Sequence, residues 1–194
     1  MALTYSQFQP THSVGSFHAP DFQLPGVDGK TYSLASFKEA RALLVIFMCN
    51  HCPYVIAVQD RINQLAIDYG AKGVAVLGIC SNDPVKYPAD NFEAMKAHAR
   101  TQGYFFAYAQ DITQEVAKAY DAVCTPDPYL FENLAPGKGS DFLLRYHGRI
   151  DDSWKDVTAV TRRDLSLAIE AVLAGKPVSP EQLPAMGCSI KWRA

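Results

Sequence analysis

The stretch Phe47-Met48-Cys49-Asn50-His51-Cys52-Pro53 holds two cysteines three residues apart, at the end of an apolar run and at the start of a helical pattern. Cysteines at positions i and i+3 of a first helical turn lie on one side of the helix, with Cβ atoms about 5–6 Å apart. Only modest movement would bring them within the ~3.5–4.5 Å that a disulfide requires. A strand, a cysteine pair and then a helix are therefore typical of a redox-active dithiol.

The composition is that of an ordinary globular protein. The 194 residues suffice for one domain with a full hydrophobic core, and the net charge of −2 gives no reason to expect nucleic acid or a membrane surface as a partner. We expect no signal peptide and no transmembrane segment, and hence a cytoplasmic location. Structural disulfides are rare there, and the cysteine count of five is odd, so the pair is expected to be catalytic or metal-binding.

The hydrophobic pattern alternates between strands and helices along most of the chain. The Asp28-Gly29 step between short alternating runs predicts a hairpin. Thr113 is the predicted N-cap of a helix. Buried strands are predicted at 41–48, 74–80, 104–109, 129–131 and 142–147, and helices at 55–69, 90–101, 113–120 and 161–174. This order predicts a central sheet with helices on both faces.

The position of the Cys-x-x-Cys pair, between the first core strand and the first core helix, resembles a thioredoxin fold. The residues before that strand resemble the redoxin branch of the fold, the alkyl hydroperoxide reductase and thiol-specific antioxidant superfamily. They are Ala19-Pro20-Asp21-Phe22, the Asp28-Gly29 hairpin and Ser33-Leu34. Thr125-Pro126 resembles the cis-proline loop of the family, which faces the cysteine pair.

The resemblance implies an α/β protein with the thioredoxin fold, in which a central mixed sheet is flanked by helices. It also implies an N-terminal hairpin extension and a C-terminal tail. We expect an N-terminal extension at 1–18, a thioredoxin-like (redoxin) domain at 19–175 and a tail at 176–194. The tail is expected to pack on the domain or on a partner subunit, which would give a homodimer.

One departure from the family pattern concerns the chemistry. Peroxiredoxins carry Pro-x-x-x-Thr/Ser-x-x-Cys around the cysteine that attacks peroxide. When that motif is aligned on Cys52-Pro53, this chain has Val45 in place of the proline and Cys49 in place of the threonine. A second thiol at the threonine position favours dithiol–disulfide exchange over direct peroxidase chemistry.

The resemblance gives the two thiols different roles. Cys49 is the predicted nucleophile, exposed at a helix N-terminus where the helix dipole lowers a thiol pKa. A protonated His51 would add a nearby positive charge. Cys52 is the predicted resolving thiol, which attacks the mixed disulfide and releases reduced substrate.

Four further residues are assigned to the same site. Pro126 is predicted to follow a cis bond that leaves the Thr125 backbone free to pair with an extended substrate. Cys124 is either a third thiol facing the site or a small packed residue. Cys188, in the tail, is either an additional thiol that resolves a sulfenic acid from a mobile tail, or a packing residue.

The predicted function is thiol–disulfide exchange through Cys49 and Cys52, in redox homeostasis or antioxidant defence and without a cofactor. The expected partners are protein or small-molecule disulfides, peroxides, and a thioredoxin- or glutathione-type reductant. One alternative is a thiol-dependent peroxidase. Another is a copper- or other metal-binding protein in which His147 joins the two cysteines as third ligand. A non-catalytic interaction module is the third.

Overall fold

The computed structural model describes residues 3–8 and 12–193. The strands are β1 (Leu3–Tyr5), β2 (Leu24–Pro25), β3 (Thr31–Tyr32), β4 (Ala42–Phe47), β5 (Val74–Cys80), β6 (Ala107–Gln110), β7 (Cys124–Thr125), β8 (Asp127–Asn133), β9 (Phe142–His147) and β10 (Met186–Ser189). The helices are α1 (Pro53–Gly70), α2 (Phe92–Gln102), α3 (Glu115–Ala119) and α4 (Asp164–Leu173). The central sheet has the order β6-β5-β4-β8-β9.

Strand β4 is the middle of the sheet because all six of its residues are apolar and buried. It pairs in parallel with β5 and antiparallel with β8. Successive side chains of a strand point to opposite faces, so β4 contributes to two cores. One core, with Leu44 and Ile46, includes residues of α1, α2 and α4. The other, with Leu43, Val45 and Phe47, is covered by α3 and by the segment that precedes β4.

The predicted central mixed sheet with flanking helices is confirmed. The strands at 74–80 and 142–147 have the predicted bounds. The hairpin around Asp28-Gly29 is present as β2 and β3. None of the helices in the described residues combines the length and the apolar character that a membrane span needs.

Two local predictions are wrong. The strand predicted at 104–109 begins only at Ala107, because the Tyr104 hydroxyl donates to Gln59 Oε1 (3.1 Å) and Asn63 Oδ1 accepts from the Phe105 N–H (2.6 Å). These side-chain bonds draw the segment towards α1, and Phe105 is left 75% exposed. Thr113 is not an N-cap: α3 begins two residues later, behind Gln114, whose φ of 66° is left-handed.

The two ends of the chain meet in a second sheet with the order β1-β10-β7, which was not predicted. Strand β10 lies in its middle, antiparallel to both neighbours. The tail thus packs on the loop that precedes β8. Residues 1, 2 and 9–11 of the predicted N-terminal extension, and residue 194 of the tail, lie outside the described residues.

Candidate active site

The cysteine pair lies at the carboxyl end of β4, where the chain turns into α1. Helix α1 starts with Pro53 because the first N–H of a helix needs no partner, and Cys52 is its N-cap with an extended backbone (φ −73°, ψ 121°). Both thiols are buried, with Cys49 1% and Cys52 0% exposed. The prediction that Cys49 is exposed is therefore wrong.

Strand pairing brings a proline loop against the cysteines. Asp127 at the start of β8 pairs with Phe47 at the end of β4, so Thr125 and Pro126 lie beside the turn that carries the thiols. The Thr125–Pro126 bond is cis, as predicted. The Cys52 thiol donates to the carbonyl oxygen of Thr125 at 3.1 Å, and Cys49 Sγ lies 3.7 Å from the Thr125 hydroxyl.

The two thiols have opposite pKa shifts. A hydrogen bond from the Cys49 thiol is the largest cause that lowers the pKa of Cys52, to about 5. The Cys188 thiol, the Thr125 hydroxyl and the backbone N–H of Val55 lower it further, while burial opposes them. That same bond to Cys52, together with burial and the nearby Asp90 carboxylate, raises the pKa of Cys49. The donors converge on the N-cap thiol, which favours Cys52 over the predicted Cys49 as the thiolate.

His51 is held beside Cys49 by a buried carboxylate. The Asp90 side chain is fully buried, and its Oδ2 lies 2.7 Å from Nδ1 of His51. Nδ1 nevertheless has no aligned hydrogen-bond partner among the described residues. The ring of His51, whose side chain is 22% exposed, stacks on Tyr87 with centroids 5.5 Å apart. The histidine thus links the buried thiols to the surface.

The carboxylate of Asp90 also fixes the loop between the cysteines. It accepts from the backbone N–H of Asn50 (2.9 Å) and from Asn82 Nδ2 (2.8 Å). Asn50 in turn donates to the Ala89 carbonyl and accepts from the Tyr108 hydroxyl at 3.0 Å. The sequence interpretation missed these roles, although Asn82 lies only two residues after β5, whose carboxyl end lies beside that of β4.

The donor atoms of Cys49, His51 and Asp90 all lie within 4.8 Å of one another, the one group in the described residues that could hold a metal ion. His147, predicted as a third ligand with the two cysteines, is not in this group. It is bonded to the buried Asp127 at 2.8 Å and stacks on Tyr129. The ligand set predicted for a copper-binding protein is therefore not assembled.

The other predicted site residues, Cys124 and Cys188, lie near the cysteine pair but differ in their surroundings. Cys124 is buried, and burial raises the pKa of its thiol. It fits the small packed residue rather than the third active thiol. Burial, and then the neighbouring Cys52 thiol, raise the pKa of Cys188. Cys188 lies in β10 opposite Thr125, so the Thr125 backbone is not free for a substrate, and the tail is anchored rather than mobile.

A cavity of about 200 Å³ opens beside Pro126. Its walls combine apolar and charged side chains, among them Val58, Pro126, Arg149, Asp152, Trp154 and Met186. The wall at 151–154 is fixed to α1 by Arg61, which pairs with Asp151 and donates to the carbonyls of Ser153 and Trp154.

Comparisons with known proteins agree with the fold. The AhpC/TSA family matches residues 16–151. The chain is 40% identical to a hypothetical protein of Sinorhizobium meliloti 1021 whose crystal structure is known, with 98% of this chain and 99% of that chain covered and a TM-score of 0.88. An uncharacterized conserved protein of Geobacillus kaustophilus is 41% identical over 100% and 97% of the two chains, with a TM-score of 0.87.

A thiol-disulfide oxidoreductase of Bacteroides fragilis is 20% identical over 68% of this chain and 89% of that chain, and its TM-score of 0.54 shows a shared fold. No curated protein matches the chain. The thioredoxin-like fold and its redoxin branch are thereby confirmed, and a thioredoxin-like redox function is supported. The chain belongs to the AhpC/TSA family.

Proposed function

We propose that the protein is a thiol–disulfide oxidoreductase that works through Cys49 and Cys52. The observation that carries the proposal is the arrangement of the two buried cysteines, which both contact Thr125 beside the cis Thr125–Pro126 bond, with Cys52 as the N-cap of α1. The donors around Cys52 lower its pKa to about 5, which agrees with this arrangement. A thiolate, not a thiol, attacks a disulfide. At neutral pH such a cysteine is ionised and has a resolving partner beside it.

The proposed reaction has two exchange steps. The Cys52 thiolate attacks one sulfur of the substrate disulfide, which breaks the S–S bond and releases the first substrate thiolate. Cys49 then loses its proton and attacks Cys52, forming the Cys49–Cys52 disulfide and releasing the second substrate thiolate. The substrate is reduced by two electrons and the protein is oxidised by two.

The roles of the two cysteines are thus exchanged relative to the sequence prediction. The high pKa of Cys49 keeps it protonated as a donor while Cys52 is a thiolate. Once Cys52 is in a mixed disulfide, that negative charge is gone, and Cys49 can ionise more readily. A ring nitrogen of His51 lies within 4.8 Å of Cys49 Sγ, so the imidazole is the group placed to take the proton of Cys49.

The expected substrates are protein or small-molecule disulfides, and the expected reductant is of the thioredoxin or glutathione type. We expect the part of the substrate attached to the attacked sulfur to bind in the cavity beside Pro126. Pro126 directly follows Thr125, which contacts both thiols. A role in redox homeostasis or antioxidant defence would follow from such exchange.

A turnover assay tests the proposal. The protein is supplied with a reductase-coupled thiol reductant, and consumption of reductant is followed with glutathione disulfide as substrate. We expect turnover in the wild type and loss of at least about 100-fold in Cys52→Ser, because the attacking thiolate is removed. Cys80→Ser is the matched control, since Cys80 is buried and its pKa is raised to about 12. Full activity of Cys52→Ser would refute the proposal.

A thiol peroxidase is the second candidate, and the position of the low-pKa thiol favours it. Cys52 stands where the peroxide-attacking cysteine of peroxiredoxins aligns, and the family match includes it. In this reaction Cys52 would take one oxygen from a hydroperoxide, releasing an alcohol or water, and a second thiol would resolve the sulfenic acid. Addition of hydroperoxide instead of disulfide to the same assay distinguishes the two, because only a peroxidase then consumes reductant.

A further inference from the structure

The C-terminal strand β10 occupies the place that an extended substrate would take. Its backbone pairs antiparallel with β7, with Cys188 opposite Thr125 and Ser189 opposite Cys124. Addition of a strand to an exposed edge is a common way to bind an extended peptide. Here the chain itself fills the edge next to the proline loop.

The tail is shaped and anchored for this position. A Cβ atom on Gly187 would lie 1.9 Å from the carbonyl oxygen of Thr125, so only glycine allows this close approach. Beyond β10, the Ile190 N–H donates to the carbonyl of Val123 at 2.9 Å. The Lys191 N–H donates to Asn82 Oδ1 at 2.8 Å, and Asn82 also bonds to Asp90 beside the active-site loop.

The docking of β10 places a third thiol, Cys188, near Cys49 and Cys52. The Cys52 thiol, three residues after Cys49, donates to the carbonyl oxygen of Thr125, and Cys188 lies opposite Thr125 on the docked strand, so Cys49 and Cys188 are both neighbours of Cys52. The Cys52 and Cys188 thiols shift each other's pKa, which agrees with this placement. Cys188 is buried, as are Cys49 and Cys52. Cys124, on the neighbouring strand, has its Sγ directed to the Pro126 carbonyl at 4.0 Å. Cys52 thus has two neighbouring thiols, one on its own loop and one on β10, and either could form a disulfide with it.

We propose that Cys188 is a built-in third redox thiol, presented to Cys52 by β10 in the manner of a substrate strand. The inference rests on the proposed dithiol exchange. The Cys188 thiolate attacks Cys52 of the Cys49–Cys52 disulfide; the Cys52–Cys188 bond forms as the Cys49–Cys52 bond breaks, and Cys49 takes up the proton that Cys188 lost. No external oxidant or reductant is consumed in this step. It moves the disulfide from the active-site loop to the tail.

Disulfide mapping in Cys49→Ser tests the proposal. The reduced protein is treated with one equivalent of glutathione disulfide, quenched with acid, alkylated and mapped by mass spectrometry. We expect a Cys52–Cys188 link as the main product. In Cys49→Ser/Cys188→Ser, the mixed disulfide of Cys52 with glutathione should persist, with decay at least about ten-fold slower, because the intramolecular thiol is gone. Cys49→Ser/Cys124→Ser is the matched control and should retain the link.

The outcomes separate failure of the Cys188 proposal from failure of the proposed function. Equal persistence of the mixed disulfide in Cys49→Ser and in Cys49→Ser/Cys188→Ser would overturn the proposal, and so would a link from Cys52 to Cys124. In either case, a Cys49–Cys52 disulfide in the oxidised wild type would leave the proposed function standing. If Cys52 forms no disulfide in any variant, the proposed function fails and this inference fails with it.

Discussion

The substitution Thr125→Val should raise the pKa of Cys52 without altering the shape of the site. The Thr125 hydroxyl lies 3.7 Å from Cys49 Sγ and is among the groups that lower the Cys52 pKa to about 5. A hydrogen bond to a charged group contributes about 1.5–3 kcal/mol, and one pKa unit corresponds to about 1.4 kcal/mol. Removal of one such donor should therefore raise the pKa by roughly one to two units, to about 6–7.

The assay is a pH titration of the thiolate by its ultraviolet absorbance, with alkylation of Cys52 as a second readout. Because the pKa is lowered, the thiolate should be present above about pH 5 in the wild type and be lost as the pH falls through that value. The exposed Thr101→Val on α2 is the matched control and should titrate like the wild type. An unchanged midpoint in Thr125→Val, or a wild-type midpoint near the ordinary thiol value of about 8.5, would refute the reasoning.

Three further substitutions probe what holds the site. Asp90→Asn should lower the free energy of unfolding by about 1–3 kcal/mol in a urea titration, since one buried N–H donor loses its acceptor; the exposed Asp60→Asn should not. Gly187→Ala should destabilise the protein by about 1–3 kcal/mol through overpacking and speed alkylation of Cys52, whereas Gly70→Ala, with open space around it, should do neither. Arg61→Ala should cost about 3–5 kcal/mol, because the buried carboxylate that it pairs with is left uncompensated. A loss below about 0.5 kcal/mol in the Asp90, Gly187 or Arg61 variant would contradict the contact assigned to it.

The central sheet was predictable because its strands are encoded locally. The run at 42–47 is apolar at every position, and a strand buried on both faces requires this. The hairpin at Asp28-Gly29 likewise follows from two turn residues. The strand at 104–109 was predicted too long because side chains of α1, distant in sequence, bind Tyr104 and the backbone of Phe105.

The site was only partly predictable, for a similar reason. The Cys-x-x-Cys pair and the Thr125-Pro126 loop are local motifs, and both lie where expected. The pKa order of the two thiols depends on donors from four separate positions, which no local pattern reveals. The role of Asp90 and the docking of β10 depend on contacts across more than 30 residues of chain. Short strands with distant partners carry too little pattern to be recognised.

The most direct test of the central claim is to trap the first covalent intermediate. The double variant Cys49→Ser/Cys188→Ser keeps the proposed attacking thiol and lacks both thiols that could release the substrate. After reaction with glutathione disulfide, we predict a stable mixed disulfide at Cys52 in this variant and no mixed disulfide in Cys52→Ser. A mixed disulfide at Cys49 in Cys52→Ser, with none in the double variant, would contradict the account.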